Sequence, residues 1–290
     1  MIKGFNRPML LDGGLSTALE ELGHNLNTSL WSGELLRTAP DQIEAAHKAF
    51  VGAGAQIIIT SSYQISMDGC AARGWSESEV RSALLLSTEL ARSATNGTNV
   101  LVAASVGPYG ASLADGSEYR GNYGRTTAQL KDFHRMRLQV LIESNPDLLA
   151  IETIPELKEA EAILELLEEQ DVKIPYWMTF SCKDEKHISS GERFSDAVAL
   201  VSGKIGAIGV GINCTAPEFV TPLLSSAKSR IPFVVYPNSG RKWNAEKKEW
   251  EGAPAQGFSE MQIFEWKERG AKLIGGCCSI GPAEIAQMRV

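Results

Sequence analysis

Eight short apolar runs, each followed by a connection with helical periodicity or by a polar stretch, are the feature that most restricts what this chain can become. The runs are PMLLDGG (8–14), AQIIITSS (55–62), NVLVAASVG (99–107), DLLAIET (147–153), IPYWMTFSC (174–182), AIGVGINC (207–214), PFVVYPNS (232–239) and AKLIGGCC (271–278). Four of the intervening stretches, 126–144, 156–170, 216–230 and 258–270, place apolar residues at three- and four-residue spacing, which predicts helices. Continuous apolar strands joined by helices build a parallel sheet covered on its outer face, and eight such units in 290 residues favour closure into a (β/α)8 TIM barrel over an open doubly wound sheet. The first strand is followed by DGGLSTALEELG, which lacks the spaced glycines of a dinucleotide fingerprint, and no phosphate-binding loop pattern occurs. With short Gly- and Pro-containing turns and no linker, residues 1–290 read as a single barrel domain. The final helix, PAEIAQMRV, is short and leaves the outer ring thin at that point.

Composition narrows the partners. A net charge of −7 argues against a nucleic-acid backbone, and no window approaches the roughly 18 apolar residues of a membrane span. The N-terminus MIKGFNRPMLLDGG has no stretch apolar enough for a signal peptide, so a cytoplasmic location is expected. In a reducing compartment, five cysteines read as metal ligands, nucleophiles or buried core residues rather than as a disulfide framework.

The active site of a βα barrel lies at the carboxyl ends of its strands. Here those ends carry Asp12, Thr60 and Ser61, Glu152, Cys182, Cys214, Asn238, and the adjacent pair Cys277 and Cys278. Neighbouring cysteines make a poor disulfide, because consecutive alpha carbons lie about 3.8 Å apart, short of the roughly 4.4–6.8 Å that a relaxed bridge prefers. Cys214, Cys277 and Cys278 end the sixth and eighth strands, on either side of the seventh, and thiols leaning inward there can share one zinc ion with a fourth position open for chemistry. The bland alternative is three buried core cysteines. It is weaker for the pair, since strand alternation would send neighbours to opposite faces unless the glycines at 275 and 276 turn the backbone.

Asp12 sits in an Asp-Gly turn dipeptide, but its strand-end position also suits ligand binding. Glu152 ends an almost wholly apolar strand, where an unpaired carboxylate is costly, so a cation, a substrate amine or a backbone donor is expected beside it. Trp31, on the long first loop, offers an aromatic face to a cation or packs the loop. Cys70 reads as a bystander in a Gly-rich connection and Cys182 as a competing ligand. Of the histidines, His47 and His134 fall in the outer ring, His24 in a loop and His187 on the catalytic side, without metal-ligand spacing.

The pieces MLLDGGLSTALEELG, LWSGELL, GAQIIITSSYQ, LLAIETIPE, GVGINCTAP, YPNSG and GGCCSIGP, in this order through nearly the whole chain, resemble the homocysteine S-methyltransferase family. The resemblance implies a βα barrel whose Zn2+ is held by Cys214, Cys277 and Cys278 and which methylates homocysteine to methionine. It implies that Asp12, Thr60 and Glu152 hold the amino-acid end of homocysteine, that Asn238 fills the open zinc position before substrate arrives, and that Trp31 faces the methyl donor. Betaine-using members carry a tyrosine where this chain has Thr153, and folate- or cobalamin-using members carry further domains. The likeness is therefore strongest to short members that use S-methylmethionine or S-adenosylmethionine, acting as a monomer or small homo-oligomer. A zinc-dependent hydrolase and a betaine-using methyltransferase are the competing expectations; a three-thiolate zinc is a poor water activator beside less electron-rich ligand sets.

Overall fold

The computed structural model describes residues 7–26, 30–244, 249–252 and 257–290. All eight expected runs contain a strand: β1 Met9–Leu10, β2 Ile57–Ile59, β3 Leu101–Val106, β4 Leu148–Ile154, β5 Tyr176–Phe180, β6 Ala207–Asn213 and β7 Phe233–Tyr236, with the eighth, β10 Ala271–Ile274, following a short antiparallel pair, β8 Lys242–Asn244 and β9 Glu249–Glu251. The barrel strands are parallel in the order β1-β10-β7-β6-β5-β4-β3-β2. A parallel bridge between Leu11 and Ile57 joins β1 to β2, with Asp12 N donating to Ile57 O at 3.1 Å, and closes the (β/α)8 ring.

A helix follows each barrel strand, and the sequence marks where several begin. Ser76, Thr126 and Ser259 each accept from a backbone N–H three residues on, while the side chains of Glu79, Gln129 and Gln262 reach back, satisfying amides that a helix start leaves unpaired. The four expected helices are found at Thr127–Glu143, Leu157–Glu169, Pro217–Ser226 and Glu260–Glu268, and the last, Pro282–Gln287, is a six-residue stub. Their apolar faces pack on the outside of the sheet in one large core. A smaller cluster fills the barrel: Leu11, Ile57, Ala103, Leu148, Ala150, Trp177, Val234, Tyr236 and Leu273. The barrel is thus plugged below and free to build a site only at its upper rim. Gly211 is what lets β6 run so close to β7, since a methyl group there would lie 1.8 Å from Val234 O.

Candidate functional site

The sharpest arrangement at the rim is sulfur. The Sγ atoms of Cys214, Cys277 and Cys278 all lie within 4.8 Å of one another. Cys278 Sγ is 3.8 Å from that of Cys214 and 3.9 Å from that of Cys277. A tetrahedral ion with Zn–S bonds of about 2.3 Å separates its ligand sulfurs by about 3.8 Å, so the two spacings from Cys278 fit a metal ion. Two local turns produce it. β10 ends at Ile274, and Gly275 and Gly276 then turn the chain; Gly276 N donates to Asp12 O at 3.0 Å, and a methyl group on Gly276 would lie 2.2 Å from Ile280 Cγ2. Cys214 itself has a φ of +46°, a left-handed conformation uncommon for a residue with a side chain, which swings its thiol off the strand.

Cys214 and Cys277 are joined as a disulfide with alpha carbons 5.6 Å apart, a separation suited to such a bridge. The expectation of three free thiols is corrected to this extent: two strand ends that converge on one point can also bond directly, and the metal-binding form is the reduced one. The neighbours Cys277 and Cys278 are not bonded to each other. Burial pushes the Cys278 thiol up to about 12, so a thiolate at neutral pH requires a cation beside it.

Glu152 stands on β4, 7% exposed. Ser105 Oγ on β3 donates to its Oε1 at 2.5 Å. Tyr236 Oη accepts from Trp177 Nε1 at 3.1 Å, lies 2.8 Å from Thr179 Oγ1, and hydrogen-bonds the Glu152 carboxylate. A phenol has one proton, so with Trp177 donating to it Tyr236 has a single hydrogen to share between Thr179 and the Glu152 carboxylate. Burial raises Glu152 to about 7, against the opposing pull of Ser105 and Tyr236. Its direction is set by Thr153, whose φ of +61° is an outlier for a β-branched residue and interrupts the β4–β5 register. Asn213 holds that turn: its Oδ1 accepts from Thr153 N and its Nδ2 donates to Thr153 Oγ1, both at 2.7 Å.

Thr60 Oγ1 accepts from Ser105 N at 3.0 Å and lies 2.8 Å from Ser62 Oγ, whose own proton goes to Ser105 O at 2.8 Å. Thr60 therefore donates to Ser62 and keeps one lone pair. Asp12 is 2% exposed; its Oδ2 accepts from Ile59 N at 2.7 Å, while its Oδ1 is buried and meets no hydrogen-bond partner among the described residues. Burial first, then the charge of Glu152, hold Asp12 well above the usual carboxylate range.

One pocket joins these parts, lined among others by Gly13, Gly14, Thr60, Glu152, Cys214 and the pair Cys277 and Cys278. Asp12 and Asn238 stand just outside the lining. Asn238 is buried on the turn after β7, its Oδ1 accepting from Gly240 N at 2.9 Å. Trp31 opens a 3-10 turn, Trp31–Glu34, and its side chain lies outside the described part of the structure. Cys182 is apart from the thiol cluster, with its Sγ 3.9 Å from Phe180 O. Cys70 is buried on the helix Met67–Ala71 rather than in a connection. His187 pairs with Asp184 at 3.0 Å, and His24 lies 3.2 Å from Gln42 Oε1.

Several residues that shape the pocket went unread in the sequence. Ser105, Asn213 and Tyr236 were hidden inside strand runs, and only the polar letters in VAASVG and GINC marked two of them. Arg137, fully buried on the outer helix, donates to Gly107 O at 2.8 Å and Tyr63 O at 2.9 Å, tying together the loops after β2 and β3. Beside it His134 and Glu159 pair at 2.8 Å, and Glu159 accepts from Tyr109 N at 2.5 Å.

A closed (β/α)8 barrel with a three-thiol, metal-competent mouth beside a buried carboxylate defines a class in which metal and amino-acid ligand can meet at one rim. The profile of the homocysteine S-methyltransferase family matches residues 9–290. Homocysteine S-methyltransferase 1 of Zea mays is 42% identical over 295 residues, 95% of this chain and 91% of its own. Homocysteine S-methyltransferase YbgG of Bacillus subtilis (strain 168) is 42% identical over 293 residues, 97% of this chain and 93% of its own. The homocysteine methyltransferase MmuM of Escherichia coli in its metallated form superposes with a TM-score of 0.85 at 41% identity, covering 97% of this chain and 95% of that one. Its oxidized form matches equally well, with a TM-score of 0.85 at 40% identity, covering 98% and 95%. The chain belongs to the homocysteine S-methyltransferase family. Among the described residues, no helix is long and apolar enough to cross a membrane.

Proposed function

We propose that this protein transfers a methyl group from a sulfonium donor to the sulfur of homocysteine, forming methionine, with Zn2+ held by Cys214, Cys277 and Cys278. The observation that carries the reading is the 3.8 and 3.9 Å spacing of the sulfurs at a pocket that also contains Glu152. Bound zinc supplies a Lewis acid that keeps a thiol deprotonated near neutral pH. Asn238 would complete the ligand set in the absence of substrate, since Gly240 N leaves one lone pair on its Oδ1.

The chain's own residues then bind and orient. Glu152, held by Ser105, receives the ammonium group of homocysteine, the Thr60 hydroxyl offers its remaining lone pair, and the orphaned Asp12 Oδ1 is a further acceptor behind them. Trp31 is assigned to the methyl donor by the family likeness alone. The homocysteine sulfur attacks the donor methyl carbon; a C–S bond forms, the donor's C–S bond breaks, and its electron pair stays on the departing sulfur. Anion and cation become two neutral thioethers, so holding the methyl carbon in line is most of the task. With S-methylmethionine both products are methionine.

S-methylmethionine is the best donor in this reading, S-adenosylmethionine a poorer one and betaine inactive. A thioether leaves more readily than an amine, and Thr153 stands where betaine-using relatives have tyrosine. The thiolate ligand set suits a reducing compartment, the cytoplasm, and the chemistry asks for one barrel, whether monomer or small homo-oligomer. Incubating the reduced, zinc-loaded protein with homocysteine and each donor in turn, and measuring methionine, tests this. Preferential transfer from betaine overturns the donor assignment; failure with every donor overturns the activity.

A further inference from the structure

Glu118 is a buried acid that the scheme above leaves without a task. It lies on the 3-10 turn Ser117–Tyr119 in the long connection after β3, is 4% exposed, and lines the same pocket as the three thiols. Its Oε2 is buried and meets no hydrogen-bond partner among the described residues. Arg120, two positions along, is turned away: its guanidinium lies 3.3 Å from Asp115 and also donates to Asp115 O and Ser117 Oγ. An orphaned carboxylate in such a place is costly unless a cation completes it. Burial accordingly raises Glu118 to about 7, the nearby Asp115 adding to the rise and Arg120 only partly opposing it.

What surrounds Glu118 limits the kind of cation. Tyr63 and Tyr119 line the pocket with it and with the three thiols, so this turn and the sulfur cluster share one pocket. Glu152 and Thr60 belong to β4 and the end of β2, with their donors already defined, and are the amino-acid end of the site. Glu118 is the second acid of that pocket, without a donor on its Oε2, and the three thiols form the pocket's thiol end. The cation that must come to the thiol end is the one carrying the methyl group, because that carbon has to reach a sulfur held there.

We propose that Glu118, with Tyr63 and Tyr119 beside it, forms the subsite for the sulfonium centre of the methyl donor. A trialkyl sulfonium has no N–H or O–H to donate, so it is recognised by a carboxylate's charge and by aromatic rings rather than by hydrogen bonds. That matches a carboxylate oxygen whose lone pairs are unused. The inference rests on the sulfonium-donor reading above and adds a consequence. Methyl transfer discharges the sulfonium, so Glu118 holds the ground state more tightly than the transition state; it lowers the donor KM without raising kcat.

The test is Glu118→Gln in the reduced, zinc-loaded full chain. The donor KM for S-methylmethionine rises roughly 10- to 100-fold, kcat holds or increases, and the homocysteine KM and zinc content are unchanged. Titration calorimetry separates charge from shape: S-methylmethionine is compared with homoleucine, its carbon isostere. The wild type prefers the sulfonium, and Glu118→Gln loses the preference. An unchanged donor KM, an equal loss of affinity for both ligands, or a wild type that binds both equally overturns the subsite. Should the wild type turn over no donor, the activity reading falls, while the calorimetric comparison still decides the role of Glu118.

Discussion

The two ends of the barrel strands obey different rules. In the lower part, apolar side chains fill the barrel: Leu148 and Ala150 of β4 lie in one cluster with Trp177, Val234 and Leu273. At the upper ends of the same strands, Thr153 and Cys214 take left-handed backbone angles, as does Ser279 beyond β10, and Asp12 and Glu118 keep carboxylate oxygens unpartnered among the described residues. Non-glycine residues in such conformations cost about 1–3 kcal/mol each and persist only where the surroundings over-determine them. The contrast teaches that the lower barrel supplies the stability against which the rim holds strain and unpaired charge.

The largest effect belongs at the rim. Cys278→Ala removes the thiol that spans both other sulfurs, and metal stoichiometry and methyl transfer both fall to background while the circular dichroism of the barrel is retained. Full metal content in this variant would remove Cys278 from the ligand set.

The complementary change lies below. Leu148→Ala opens a hole in the barrel plug and costs about 2–5 kcal/mol in denaturant unfolding. Metal content and kcat per folded molecule stay as they were. A matching loss of metal affinity would show that the two ends are not separable.

Glu152→Gln is the smallest of the three. It removes the charge but keeps the shape, and weakens homocysteine binding by about 10- to 100-fold with zinc content unchanged. The pH dependence isolates it further. With the carboxyl raised to about 7, it is mostly protonated at pH 6 and must lose that proton to hold an ammonium. Wild-type affinity for homocysteine therefore rises as pH increases through about 7, and the variant lacks this limb. Stability of the ligand-free fold runs the opposite way. Between the ordinary carboxylate value of 4.5 and about 7 the folded state binds the extra proton, so Glu152 favours folding less as pH rises through that window. Calorimetric titration across this range, and unfolding midpoints for the same two proteins, check both signs.

The sequence by itself determined the eight strand positions, four of the helices between them, and which strand ends carry sulfur or carboxylate, because apolar period and turn residues are local and the barrel fixes where strand ends go. Cys277 and Cys278 were readable as a pair for the same reason: two glycines had to turn the chain before them. Only the tertiary structure decided how those groups are held. That Glu152 is held by Ser105, that Asn213 locks the turn at Thr153, and that Arg137 reaches in from an outer helix to the carbonyls of Tyr63 and Gly107 are all contacts between residues far apart in the chain. Such partners follow from the register of neighbouring strands and from left-handed residues that residue type alone would have argued against. The disulfide between Cys214 and Cys277, and the orphaned oxygen of Glu118, arise likewise from chain segments meeting in space, where no periodicity along the sequence records them.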